Sequence, residues 1–187
     1  LAGVPSKPGD FSVAVSGDHV ITAIYPAGVF SNSLSTLHRA VLGSPAIHAD
    51  QPLRVWFQLM GGGQSSVRYV VQDYPRNGTV YPIQNVRQAD WYWHSYDMKY
   101  WTGDDVHFEL VTSKDAPLQV GNQQRSWFGV RKVMVRPSDQ PAPNTSGESV
   151  RFLWRQLKSD PPKTVDDLAR RYQTAIREAI QQWSKQE

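Results

Sequence analysis

The chain reads as a mainly β protein, an antiparallel jelly-roll β-sandwich with a C-terminal helical tail. Three observations predict this. Seven or more short segments alternate apolar and polar residues with a period of two. Turn-forming residues separate them every ~8–12 residues, the spacing of antiparallel sandwiches. No helical pattern interrupts them before residue 137, which argues against a parallel βαβ arrangement. The sandwich is expected over residues 8–136, a linker over 137–149 and the helical tail over 150–187.

Taken in order, residues 1–9 (LAGVPSKPG) form a linker. Asp10 to Val15 and His19 to Ile24 alternate on either side of Ser16-Gly17-Asp18, a hairpin pattern expected to open the sandwich. Tyr25-Pro26-Ala27-Gly28 breaks the second strand. Residues 29–50 are Ser-rich and read as loops with short strands. Leu53, Val55, Phe57 and Leu59 then alternate with Arg54, Trp56, Gln58 and Met60, a half-buried strand ended by Gly61-Gly62-Gly63. GGGQSS over 61–66 reads as a hairpin connection. Val67, Tyr69 and Val71 alternate with Arg68, Val70 and Gln72 in the following strand. Pro75 to Gly78 is a turn, because Asn-Gly supplies positive-φ positions cheaply. Val106, Phe108 and Leu110 alternate with His107 and Glu109. Ser126 to Val135 closes the β region, with Gly129 expected to mark a bulge.

Past the Pro/Ser/Asn-rich linker the period changes to 3.6. Val150 to Lys158 reads as a short helix stopped by Pro161-Pro162. Thr164 is a good N-cap for a second helix, and Asp166 and Asp167 suit its positive end. Val165, Leu168, Ala169, Tyr172, Ile176, Ala179, Ile180 and Trp183 fall on one face, which must be covered by something.

Composition narrows the function. The 20 basic and 17 acidic residues nearly balance, and no run of five Lys or Arg exists, so the footprint of a nucleic-acid binder is missing. No apolar run approaches ~18 residues, so no membrane span is expected. With no Cys there is no disulfide, thiolate metal site, Cys nucleophile or CxxCH haem attachment. The chain does not open on Met and reads as a piece of something longer.

The distinctive stretch is 66–111, where Trp and Tyr interleave with Arg, Gln, Asp and His. Trp91, Trp93, Tyr96, Tyr100 and Trp101, with Tyr74 and Tyr81 nearby, offer flat rings on which the slightly positive C–H groups of a sugar can stack. The same residues also suit the core and corners of a sandwich. A second set lies on strand faces. Trp56 with Gln58, Arg68 with Gln72, and His107 with Glu109 each point to one side of their strand. If those strands share a sheet they form one wall for a polyhydroxyl ligand. The plain reading is a solvated face with cross-strand ion pairs such as Arg68–Glu109. Asp104-Asp105, Asp10, Asp18 and Asp73 could hold structural calcium, although no DxDxDG loop exists and turn-stabilising roles are commoner. Signals for catalysis are poor. His38, His48, His94 and His107 lack HExxH or HxH spacing, and there is no GxSxG or GxxxxGK[ST] motif.

Four stretches carry a family resemblance: Tyr25-Pro26-Ala27-Gly28-Val29, Leu42-Gly43-Ser44-Pro45, Arg68 to Arg76 (RYVVQDYPR) and Tyr100-Trp101-Thr102-Gly103-Asp104. Together with Phe152-Leu153-Trp154 and the helix after Thr164, they resemble a region of large multi-domain planctomycete proteins with a cytochrome-c-like part. Ser126 to Val135 (SWFGVRKVMV) is similar to the last strand of galactose-binding-like jelly rolls, a fold shared by many carbohydrate-binding modules and many non-binding ones. The resemblance implies an exported, periplasmic or cell-envelope setting and a noncatalytic module. It carries over no binding residue.

The expected function is therefore a noncatalytic carbohydrate-binding module whose partners are a poly- or oligosaccharide and the neighbouring domains of a parent chain. Its ligand residues are expected among Trp91, Trp93, Trp101, Tyr100, Arg68, Gln72, His107, Glu109 and Trp56. The alternative is an interdomain docking or spacing sandwich. A polysaccharide-active enzyme with two facing carboxylates ranks third.

Overall fold

The computed structural model describes residues 11–73, 83–113, 125–143 and 152–185. The linker at 1–9, Asp10, Tyr74, the turn at Pro75–Gly78, Tyr81 and linker residues 144–149 lie outside them. The chain divides into two compact units, one of residues 1–28, 33–35 and 147–187, the other of residues 29–32 and 36–146.

The first unit is built on the hairpin of β1 (Phe11–Ser16) and β2 (Val20–Pro26). Gly17 turns it with φ of 63°, in the left-handed region where a Cβ is unfavourable. These strands were expected to open the sandwich. Instead they form a two-stranded sheet of their own and group with the tail. Hydrogen bonding gives the reason. Ile21 N–H donates to the Lys163 carbonyl at 2.8 Å and Val165 N–H to the His19 carbonyl at 3.1 Å, so the segment before the last helix runs along β2.

Helix α1 (Phe152–Ser159) and helix α2 (Val165–Trp183) complete this unit. Thr164 caps α2 as expected, its side chain accepting from Asp167 N–H at 3.1 Å. Arg171 ties the turn between the helices, pairing with Asp160 at 2.6 Å and Asp167 at 3.1 Å. Leu153, Leu157 and Ala175 are buried. The stripe from Val165 to Trp183 is not: Ala175 is the buried residue of α2, one face away from it.

The second unit is the jelly roll. Its strands are β3 (Val29–Phe30), β4 (Val41–Gly43), β5 (Ile47–His48), β6 (Leu53–Gly62), β7 (Ser65–Val71), β8 (Gln84–Val86), β9 (Tyr92–Asp97), β10 (Asp105–Val111) and β11 (Trp127–Pro137). Pairing is antiparallel and nested. β7 pairs with β8, β6 with β9, the broken strand β4/β5 with β10, and β3 with β11. A long hairpin wound in this way yields two sheets, and further pairing of β6 with β11 and β7 with β10 closes them. The first sheet runs β3-β11-β6-β9 and the second β4-β10-β7-β8, with β5 also on β10.

The connection at 61–66 is therefore not a hairpin within one sheet. It carries the chain from β6 in the first sheet to β7 in the second, turning on Gly63 and Gln64 with φ of 62° and 61°. The bulge expected at Gly129 falls at Arg131, where the β11–β6 register slips between Val130 and Lys132. Gly129 serves another purpose: a Cβ there would lie 2.5 Å from the Phe30 ring.

The period-two pattern sets the core. Leu53, Val55, Phe57 and Leu59 of β6, with Tyr96 and Phe128, face Val67, Tyr69, Val71, Val106, Phe108 and Leu110 of the second sheet. The Phe57 and Phe108 ring centroids are 4.9 Å apart, and those of Tyr69 and Tyr96 are 5.2 Å apart, edge to face.

Candidate functional site

With one parity of β6 committed to the core, the other parity forms the outer face of the first sheet. Cross-strand register orders it in rows. Arg136, Arg54 and Asp97 form the first row. Met134, Trp56 and Ser95 form the second, and Lys132, Gln58 and Trp93 the third. Beyond them lie Gly129 and Met60, with Trp91 just ahead of β9 and its ring 5.7 Å from that of Phe30. Arg54 donates to Asp97 at 2.7 Å, and its guanidinium sits 5.9 Å from the centre of the Trp56 ring. That hydrogen bond holds the Asp97 carboxyl below the usual carboxylate range.

Unmet hydrogen-bonding capacity concentrates on this face. The indole N–H groups of Trp56, Trp91 and Trp93, the side-chain carbonyl of Gln58 and Nε of Arg54 are buried atoms without a hydrogen-bond partner. Each such group costs ~1–3 kcal/mol when nothing satisfies it. Gln58 is only 3% exposed although it points away from the core. The three indoles are half-buried, so part of each remains accessible.

The outer face of the second sheet is different. Arg68 pairs with Glu109 at 2.6 Å, and His107 lies between Glu109 at 3.5 Å and Asp73 at 3.2 Å. Arg68 and Glu109 are cross-strand neighbours, and Arg68 is 8% exposed. The Arg68–Glu109 pair satisfies its own charges and leaves little for a ligand.

The single wall anticipated from Trp56, Gln58, Arg68, Gln72, His107 and Glu109 is therefore split. Trp56 and Gln58 belong to the first sheet, while Arg68, His107 and Glu109 share the outer face of the second. Gln72 stands past the end of β7 with φ of 50° and donates to Asp104 at 2.5 Å.

The aromatic cluster divides as well. Trp91 and Trp93 join Trp56, whereas Tyr96 is a core residue. Tyr100 and Trp101 lie on a 3₁₀ turn, Lys99–Trp101, after β9. Trp101 packs on the core, its N–H directed at the Tyr69 hydroxyl at 3.3 Å. Tyr100 is 84% exposed, its ring edge-on to Trp101. Sequence reasoning missed Arg54, Asp97 and Met60, which share the parity of Trp56 and Trp93, and Phe30, for which no local signal exists.

His94 occupies the inner parity of β9, 4.7 Å from the Tyr96 ring, and burial lowers its pKa. Of the acidic residues considered for calcium, three have separate partners: Asp104 with Gln72, Asp105 with His48 at 2.9 Å, and Asp73 with His107, while Asp10 lies outside the described residues. Among the described residues no three His, Asp or Glu side chains converge as a metal site, and no helix is long and apolar enough to cross a membrane. No family model matches the chain, and no curated protein is significantly similar to it.

Proposed function

We propose that the jelly roll is a noncatalytic recognition module that binds a carbohydrate on the outer face of its first sheet. The observation that carries this reading is the set of three partly accessible indoles, Trp56, Trp91 and Trp93, around the buried, unpaired side-chain carbonyl of Gln58. The accessible parts of the indole rings give a sugar C–H face a stacking surface. Arg54, Asp97 and Lys132 flank the rings and add charged hydrogen-bonding groups. An exported setting, implied by the resemblance to planctomycete multi-domain proteins, belongs to the same proposal.

The test is a glycan-array screen of the folded protein with and without calcium, confirmed by calorimetry. Binding in the ~µM to mM range, roughly −8 to −4 kcal/mol, supports the module. Dependence on calcium would add a structural ion to it. A second reading, an interdomain docking sandwich without a glycan ligand, is favoured by the half-burial of every tryptophan in the set and by the packing of Trp101 into the sandwich end. A folded sample that binds no glycan selects that reading.

A further inference from the structure

The exposed stripe of α2 carries an inference independent of the glycan face. Val165, Ala169, Tyr172, Ile176, Ala179 and Trp183 are spaced four, three, four, three and four residues apart. This is the 3.5-residue repeat of a helix-pairing seam. Val165, Tyr172, Ile176 and Trp183 are 38%, 46%, 41% and 67% exposed, and Ile180, at 57%, widens the seam. The neighbouring face, with Ala175, is the one turned inward within the unit, so the seam itself stays uncovered.

We infer that α2 pairs with α2 of a second copy of this chain, in antiparallel orientation. The seam is self-complementary that way around. With Thr174 level with its own counterpart, Trp183 of one copy faces Val165 of the other, Tyr172 faces Ile176, and Ala169 faces Ala179. A parallel pairing would stack Trp183 on Trp183 and leave Val165 on Val165, mixing an overfilled layer with an underfilled one. It would also set like helix ends side by side, which the antiparallel arrangement avoids.

The positions flanking the seam are Asp166, Leu168, Gln173, Ala175, Ile180 and Gln182. They contain a single charge, so no like-charge repulsion opposes self-association. The five exposed apolar side chains leave roughly 500 Å² per copy, and covering both sets removes on the order of 1,000 Å², the lower bound for a specific interface. The pair is accordingly a weak dimer, with a dissociation constant on the order of micromolar to tens of micromolar.

Sedimentation equilibrium of the whole chain tests this between ~1 and ~300 µM. The expected result is a rise from monomer mass to twice that mass. Ile176→Lys, at an exposed position, should keep the helical circular dichroism and weaken the dimer at least tenfold. Because the chain has no Cys, Ala169→Cys and Ala179→Cys can be mixed under oxidation. Antiparallel pairing gives the mixed cross-linked species in preference to either homodimer. Monomer mass throughout the range, a dimer indifferent to Ile176→Lys, or cross-linking of Ala169→Cys mainly to itself would each overturn the inference.

Discussion

Tyr96 of β9 donates its phenolic hydrogen to the Val67 carbonyl of β7 at 2.8 Å, a hydrogen bond that crosses the sandwich from one sheet to the other. The hydroxyl is deeply buried, and burial pushes its pKa well above the ordinary tyrosine value. The hydroxyl therefore stays protonated, and a donor, through the ordinary tyrosine range. Tyr96→Phe keeps the ring and removes this bond. We expect a loss of about 1–2 kcal/mol in urea unfolding with an unchanged slope. An unchanged midpoint would mean that the bond adds nothing to stability.

Trp101 was a stacking candidate by sequence, and the structure seats it against Tyr69 at the end of the core. Trp101→Ala should cost about 3 kcal/mol, the lower end for an aromatic truncation because the residue is only half-buried. Tyr100→Ala, one residue away and exposed, should fall within about 0.5 kcal/mol of the wild type. Thermal melts of the two variants make the comparison directly.

Gly129 and Phe30 form a matched pair on the first sheet. Gly129→Ala drives a Cβ into the ring and should destabilise the unit by about 1–3 kcal/mol. In the background of Phe30→Ala the same change should cost little, because the ring is gone. A double-mutant cycle reads this coupling, and strict additivity would show that the two residues do not act together.

His94 gives the sandwich a pH dependence of defined sign. Burial lowers its folded pKa below the unfolded value of about 6.5. The unfolded state therefore takes up the proton first as pH falls. Stability that is complete above about pH 6.5 is lost as pH drops through the folded pKa. His94→Gln should flatten this part of the profile in melts recorded from pH 7.5 to 5, and parallel profiles would show that His94 does not contribute.

Much of the fold was legible because its cause is local. The alternation of Leu53 to Met60 fixed which side of β6 faces the core, and Thr164 announced the start of α2. What escaped depends on pairing between distant segments. Nothing within Phe11–Pro26 shows that its partner is the stretch before α2 rather than a sandwich strand. Parity placed Trp56 with Gln58 and Arg68 with Gln72, but parity does not say which sheet a strand joins. The split of the candidate wall follows from that. Trp91 and Trp93 share parity, so their common side could be read from sequence, whereas the approach of Phe30 to Trp91 could not.

We propose that the outer face of the first sheet, not the second, holds the ligand. Calorimetric titration of the best array glycan into wild type, Trp93→Ala and Tyr100→Ala, each checked for an intact melting transition, tests it most directly. Binding should be at least tenfold weaker for Trp93→Ala, about 1.4 kcal/mol or more, with Tyr100→Ala unchanged. Full affinity in folded Trp93→Ala, or loss confined to Tyr100→Ala, would contradict it.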